Sequence, residues 1–262
     1  MDLLLNVFFR LSHVDVTDAA IGSVSALDIA VAVSGDAKYN VSCNTNNNIN
    51  ERHMANPIEE FARERGIKFL MHFTKLTNLG AILQRGLVTR DVLVLEGNVD
   101  ALNDQYRYDH TDAICLSIGF PNYRMFYRLR QENQGTDWVV VAVNPSALWE
   151  LPCAFCSANA AAGHVSAIPI EDRKTIAAFR GMYADYGDKT RAQLGIKDGL
   201  PTNPQAEVLM LRGVPPSYIL GVWVQSTTMQ AMIKELYPGL QVVAAPGLFS
   251  YRSDYAHWKA NA

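Results

Sequence analysis

The sequence lacks most of the features that would place it outside ordinary globular proteins. Four cysteines in 262 residues are too few to build a fold of this size from disulfides, so reduced thiols in a cytoplasm are expected. No apolar run approaches the roughly 20 residues a membrane-crossing helix needs. The opening stretch MDLLLNVFFRLSHVD is apolar. Yet it carries Asp2 where a secretory leader carries positive charge, and it shows no clear cleavage site. These readings predict a cytoplasmic protein without membrane contact. Charge of one sign is scarce too: 23 basic against 26 acidic side chains leave a net charge of -3. A globally basic nucleic-acid binder is thereby excluded, and any such interface must be a local groove. The sequence has no Gly-rich phosphate loop, no H-E-x-x-H pair and no nucleophile elbow.

What is present suits one sizeable core, with 49% hydrophobic and 19% charged residues. Residues 1–53 differ from the rest and end in the Asn-rich run 44–50, which reads as a linker. They are taken as an appendage with no assigned role, and residues 54–262 as the working domain. From Pro57 the pattern becomes regular. Pro57 opens a helix over 58–65 that Gly66 ends. A strand follows over 68–74, then a helix over 78–85 capped by Thr77 and stopped by Gly86. Further strands are predicted at 113–118, 138–143, 206–211 and 218–224, the second being β-branched, apolar and short. Helices are predicted at 122–130, 170–180 and from 227 to about 238. Residues 185–205 are polar and Gly/Pro-rich, a long loop of the kind that tends to be functional. Short strands with irregularly interspersed helices indicate an α+β fold.

Several residues carry chemical interest, each with a plainer alternative. Glu207 leads the apolar run Val208, Leu209, Met210, Leu211. A carboxylate there either faces a cleft or pairs with an arginine at the strand edge. His72 and Thr74 alternate on one strand and share a face, with Asn78 on the next helical turn. They either form a pocket floor, or His72 is a core histidine satisfied by a backbone carbonyl. Tyr123, Phe126 and Tyr127 on the helix 122–130 form either packing or a stacking surface. Arg124 and Arg128 stand one turn apart beside them. Arg107, flanked by Tyr106 and Tyr108, is either a surface pair or a phosphate and base anchor. Cys153 and Cys156 form a C-x-x-C half-site with His164 as a third candidate. No second pair stands at zinc-ribbon spacing, so no metal is expected.

Together these blocks resemble the DarT family, bacterial DNA ADP-ribosyltransferase toxins, over about residues 66–255. Residues 71–86 (MHFTKLTNLGAILQRG) are similar to the family's opening His-x-Thr strand and its N-L-x-x-I-L-x-x-G helix. Residues 108–118, with 121–127, are similar to its central strand and Pro-led helix. Residues 205–210 (QAEVLM) are similar to the Q-A-E-F-L-V strand that bears the catalytic glutamate, and 215–224 matches the strand that follows. The resemblance implies an ADP-ribosyltransferase-like fold, a central mixed or antiparallel split sheet with flanking helices. It implies that NAD⁺ is consumed as a substrate, that Glu207 is catalytic, and that Arg107 is the essential arginine. By the same resemblance His72, Thr74, Asn78, Tyr127 and Phe126 contact NAD⁺. Single-stranded DNA would meet Arg124, Arg128, Lys189, Arg191 and Lys197, the last three in the loop 186–206, taken as the substrate-recognition loop. The block 116–125 (LSIGFPNYRM) departs from the thymidine-modifying branch and leans toward the branch associated with guanine.

The expected function is therefore transfer of ADP-ribose to guanine or thymine in single-stranded DNA. The enzyme is expected to be a toxin paired with an antitoxin that removes the mark or blocks the enzyme. Three rivals stay open: an ADP-ribosyltransferase acting on RNA or protein, an enzyme like an RNA 2'-phosphotransferase, and a binding module that has lost catalysis.

Overall fold

The computed structural model of the chain describes residues 56–103 and 112–259. The chain divides into two units, Met1–Asn50 and Glu51–Ala262, and every described residue belongs to the second. Arg107 and its neighbours lie outside the described residues, as does the whole 1–53 segment.

The described residues open with α1 (Pro57–Glu64), β1 (Leu70–Lys75), α2 (Leu79–Arg85) and α3 (Arg90–Leu95). Next come β2 (Ile114–Ile118), α4 (Tyr123–Glu132), β3 (Trp138–Val143), β4 (Cys153–Cys156), β5 (Glu207–Met210), β6 (Ile219–Val224) and β7 (Val242–Ala244). The strands form one seven-stranded sheet in the order β4-β5-β2-β1-β3-β6-β7. All neighbours are antiparallel except the parallel pair β6 and β7.

The two halves of this sheet meet only briefly. β1 pairs with β3 along six positions, from Leu70↔Val143 to Lys75↔Trp138. It pairs with β2 at just two, Leu70↔Ile118 and Met71↔Ser117. Beyond Met71 the strands part, and β2 instead aligns with β5 from Leu116↔Val208 to Ile114↔Met210. The sheet is thus mixed and split, as the family resemblance implies. The split, rather than either face, creates the cleft described below.

β3 is an interior strand whose apolar residues serve both faces, and each of its six positions is buried. Val139, Val141 and Val143 join Leu70, Leu79 and Ile82 in the larger core. Val140 and Trp138 join Met71, Phe126, Leu129 and Phe249 beneath α4. Strand alternation assigns the remaining residues in the same way.

Four differences from the sequence-based expectation have physical causes. Strand β4 was read as a possible metal motif, because four residues are too few for a clear period. The helix expected over 170–180 breaks into Ile170–Arg173 and Ile176–Gly181. Thr175 ends the first piece and caps the second by accepting from the Ala178 N–H at 3.2 Å. The cap expected at Thr77 is absent, since Thr77 lies inside a 3-10 turn, Leu76–Asn78. β7, of three residues, follows the turn Pro238-Gly239 and was not anticipated.

At the turn after α2 glycine is a requirement. Gly86 has φ +82, and a Cβ there would meet the Val214 carbonyl oxygen at 2.0 Å. Gly213, φ +77, would meet the Leu87 carbonyl at 2.3 Å. Both glycines allow the Leu87–Val214 backbone pair that closes this end of the cleft.

Candidate active site

A cavity of about 940 Å³ opens along the split. Its lining includes His72, Thr74 and Asn78 from the β1 side, Arg124, Met125 and Arg128 from α4, and Glu207 from β5. The strand-leading carboxylate and the β1 histidine, some 135 positions apart in sequence, therefore border one space.

Glu207 is only 5% exposed. Its strand neighbours Val208 and Met210 turn into the larger core, so alternation sends Glu207 to the other face. The loop after β4 holds it there. The Ala160 N–H donates to Oε2 at 2.8 Å, and Asn159 Nδ2 lies 3.4 Å from Oε1. Asn159 is itself folded into a tight turn by the Ala161 N–H at 3.0 Å. A buried carboxylate with amide donors is oriented rather than free to turn.

The β1 side is a closed hydrogen-bond network. His72 Nδ1 lies 3.0 Å from the Cys115 carbonyl oxygen, across the gap where the strands part. A carbonyl only accepts, so Nδ1 carries the proton and Nε2 is the acceptor. Asn103 Nδ2 lies 3.3 Å from Nε2 and also donates to the Phe73 carbonyl at 2.7 Å. Asn103 Oδ1 accepts from the Thr74 hydroxyl at 2.9 Å. Thr74 in turn accepts from Asn78 Nδ2 at 2.9 Å, and Asn78 donates to the Ala101 carbonyl at 2.8 Å. Burial holds the His72 pKa below the ordinary histidine value, only partly offset by the Cys115 carbonyl. A protonated ring would also aim an N–H at the Asn103 amide, which already donates on that side. Both readings of His72 thus hold at once: it is satisfied by a backbone carbonyl and it lines the cleft.

Helix α4 sorts the other candidates by its 3.6-residue period. Asn122, Met125 and Arg128 stand on the stripe that lines the cleft, with Arg124 and Glu132 beside them. Phe126 and Leu129 stand on the next stripe and are buried. Phe126 stacks on Phe73 at 4.6 Å and meets Trp138 and Phe249 edge-on or tilted. It belongs to the core and does not line the cleft. Tyr127 points to a third side, 56% exposed and away from the cavity. The aromatic positions assigned to NAD⁺ are therefore corrected: one is packing, the other surface.

The long loop differs from expectation as well. It contains a helical turn, Arg191–Leu194, with a capping box between Thr190 and Gln193. Arg191 donates to the Leu200 carbonyl at 2.8 Å, the Thr202 hydroxyl at 3.1 Å and the Lys197 carbonyl at 3.2 Å. It ties the loop together rather than presenting a cation to a strand. Lys189 pairs with Asp188 at 3.0 Å and lies 5.7 Å over the Trp258 ring. Neither residue, nor Lys197, lines the cleft.

The C-x-x-C pair fails as a ligand set on strand geometry alone. Residues three apart on a strand point to opposite faces, and Cys153 and Cys156 join different core clusters. Burial pushes the Cys153 thiol up to about 12. Among the described residues no group of three His, Cys, Asp or Glu side chains is placed to hold a metal ion. Nor is any helix long and apolar enough to cross a membrane among them.

Residues that sequence reasoning missed are Asn103, Asn122, Ser117, Asn159 and Gln205, all lining the cavity. They are uncharged polar residues, Ser117 within β2 and the others in turns, loops or a cap, and no period or charge singles them out.

The model of one protein family, described as ssDNA thymidine ADP-ribosyltransferase, DarT, matches residues 71–249, more than half of the chain. The chain belongs to the DarT family. Glu207, His72 and the whole split of the sheet fall within the matched span. The family description names thymidine, against the guanine leaning read from residues 116–125. No curated protein matches this chain. Solved structures that resemble it include Thermosipho africanus DarTG in complex with ADP-ribose, at 18% identity and a TM-score of 0.48. That match covers 70% of this chain and 51% of the other, so the chain spans about half the length of the Thermosipho protein. Thermus sp. 2.9 DarT is similar in two complexes. With carba-NAD+ the identity is 16%, the TM-score 0.46, and the coverage 70% of this chain and 98% of the other. With ADP-ribosylated ssDNA the values are 15%, 0.45, 71% and 97%.

Proposed function

We propose that this DarT-family chain transfers ADP-ribose from NAD⁺ to thymine in single-stranded DNA, with Glu207 at the reacting sugar. The observation that carries the reading is a buried, amide-held carboxylate at the mouth of a strand, facing a cavity large enough for a dinucleotide.

The chemistry follows from that placement. The bond between nicotinamide and ribose breaks heterolytically, and nicotinamide leaves as a neutral base. Positive charge develops on the ribose ring. A carboxylate fixed by the Ala160 N–H stabilises that charge best where water is scarce. The ring nitrogen of thymine then forms the new N–C bond and gives up its proton, which Glu207 is placed to accept. Balanced, NAD⁺ and the base yield the ADP-ribosylated base, nicotinamide and a proton. His72, fixed as the Nδ1–H form, Thr74 and Asn78 form the wall against which the NAD⁺ ribose and carboxamide are read. Arg107 remains the family-implied essential arginine. Arg124, with Arg128 beside it in an ion pair to Glu132 at 3.7 Å, supplies local positive charge for a strand crossing the cleft mouth. A single strand spares the few kcal/mol needed to flip a base from a duplex.

This reading places the enzyme in the cytoplasm, where NAD⁺ and transiently single-stranded DNA coexist. It also calls for a partner, an antitoxin that removes the mark or blocks the cleft. The test uses the full chain with NAD⁺ and oligonucleotides of one base each, read by mass spectrometry. A mass gain of one ADP-ribose on thymidine oligonucleotides alone is expected. Labelling of RNA or protein in their place would overturn the reading, and labelling of guanine alone would restore the other branch.

A further inference from the structure

Six buried side-chain nitrogen or oxygen atoms among the described residues have no hydrogen-bond partner: those of Arg65, Asn122, Tyr123, Arg130, Trp138 and Arg173. Only Asn122 lines the cleft. It is 1% exposed and caps α4, accepting the Met125 N–H on Oδ1 at 3.3 Å. Its own backbone N–H donates to Ser117 Oγ at 3.0 Å. The Met125 bond fixes which end of the amide is oxygen, so the unpaired atom is Nδ2, a donor. Strands β2 and β5 pair as far as Leu116↔Val208. Ser117 and Glu207 stand at the next facing positions, so Asn122 sits on the residue beside the carboxylate.

A buried amide without an acceptor is costly, and a protein seldom keeps one for packing. Aspartate would cap the helix equally well without bringing a donor at all. We propose that Asn122 donates a hydrogen bond from Nδ2 to a carbonyl oxygen of a bound substrate. That oxygen belongs either to the base being modified or to the nicotinamide carboxamide. On the base, a donor suits the keto oxygens of thymine or guanine and opposes the amino groups of adenine and cytosine. The inference rests on the function proposed above.

Asn122→Asp keeps the cap and the shape, turns the donor into an acceptor and adds a negative charge near Glu207, so the neutral Asn122→Ser is read beside it. Asn122→Ser keeps a cap and removes the amide. Two assays separate the sources: NAD⁺ hydrolysis without DNA, and labelling of thymidine oligonucleotides at saturating NAD⁺. If the oxygen is the base's, Asn122→Ser lowers labelling about tenfold and Asn122→Asp on the order of a hundredfold, with the hydrolysis KM unchanged. If it is the nicotinamide's, the KM for NAD⁺ in hydrolysis rises by similar factors, while labelling at saturating NAD⁺ stays near wild type. Wild-type values for both variants in both assays would overturn the proposal. So would equal losses that follow a fall in the melting midpoint, since that marks a merely structural role. A wild-type chain that neither hydrolyses NAD⁺ nor labels DNA would instead sink the underlying function.

Discussion

The two walls of the cleft are built on opposite plans. On the β1 side the polar groups of the network are bonded to one another or to backbone: His72 to Cys115 and Asn103, Thr74 to Asn103 and Asn78, Asn78 to Ala101. On the β2–β5 side the key groups are held by loops. Glu207 hangs on Asn159 and Ala160, and Asn122 keeps a donor without a partner. On the proposed function, the first wall is a template whose hydrogen bonds are already made within the protein. The second is prepared for a ligand and bears the cost of that preparation. The difference follows from the split: β1 keeps six residue pairs with β3, whereas Glu207 begins a strand that follows a long loop.

The loop wall must therefore depend on a distant clamp, and breaking that clamp is expected to have the largest effect. Arg252 is 3% exposed and donates to the Pro201 carbonyl at 2.8 Å and the Thr202 carbonyl at 2.7 Å. Its Nε meets Asp254 at 2.7 Å, and Asp254 also accepts from the Trp258 indole at 2.7 Å. Arg252→Ala leaves the Asp254 carboxylate buried without its counter-charge, held only by the Trp258 indole, at a cost of about 3–5 kcal/mol in urea unfolding. The comparison sharpens if the folded variant loses DNA labelling while the His72 ring keeps its Nδ1–H form by nitrogen NMR. It fails if both walls change together.

Glu207→Gln comes next. Glutamine preserves the shape and can still accept from the Ala160 N–H, so the charge is removed together with the weaker contact to Asn159 at 3.4 Å. Loss of an oriented charge-stabilising group raises the barrier by about 2.7–4 kcal/mol, roughly 10²–10³ in kcat. The KM for NAD⁺ should stay near its wild-type value, because the template wall is intact. A variant with kcat within threefold of wild type would remove Glu207 from the reacting centre.

Much of the fold was readable because apolar period and punctuation coincide. The helices after Pro57 and Pro121 and the strands 138–143 and 219–224 lie within a few residues of their predicted places. Glu207 was readable because a charged residue at the head of VLML has few other reasons to stand there. The aromatic assignments failed because helical spacing cannot tell which stripe faces the core. Phe126 and Tyr127 are neighbours in sequence but about 100° apart around α4. Arg191 failed for a related reason, since a basic residue in a polar loop looks the same whether it meets a strand or three backbone carbonyls. Asn103 and Asn122 could not be read at all. Their importance lies in which atoms face them, and those atoms come from β1 and β2, brought near by the fold.

The template wall should be less sensitive to any single change, because each member has more than one bond. Asn103→Ala removes three contacts at once and leaves His72 Nε2 and the Thr74 hydroxyl to find water. A loss of about 1–3 kcal/mol is expected, with the KM for NAD⁺ raised several-fold and kcat little changed. A large fall in kcat at unchanged KM would show that this wall takes part in bond breaking and would erase the contrast drawn between the two sides.

The smallest effect concerns acid. The folded-state pKa of His72 is lowered from the ordinary 6.5. Between that lowered value and 6.5 the unfolded chain binds a proton that the folded chain does not. Stability therefore falls as the pH drops through this window, by at most about 1.4 kcal/mol per pH unit for one proton. Below the folded value both states are protonated and the effect ends. His72→Gln should flatten this part of the urea midpoint curve between pH 7 and 5, whatever it does to activity. A curve identical to wild type would mean that the ring already accepts a second proton in the native state. The network through Asn103 would then be an adaptable surface rather than a fixed template.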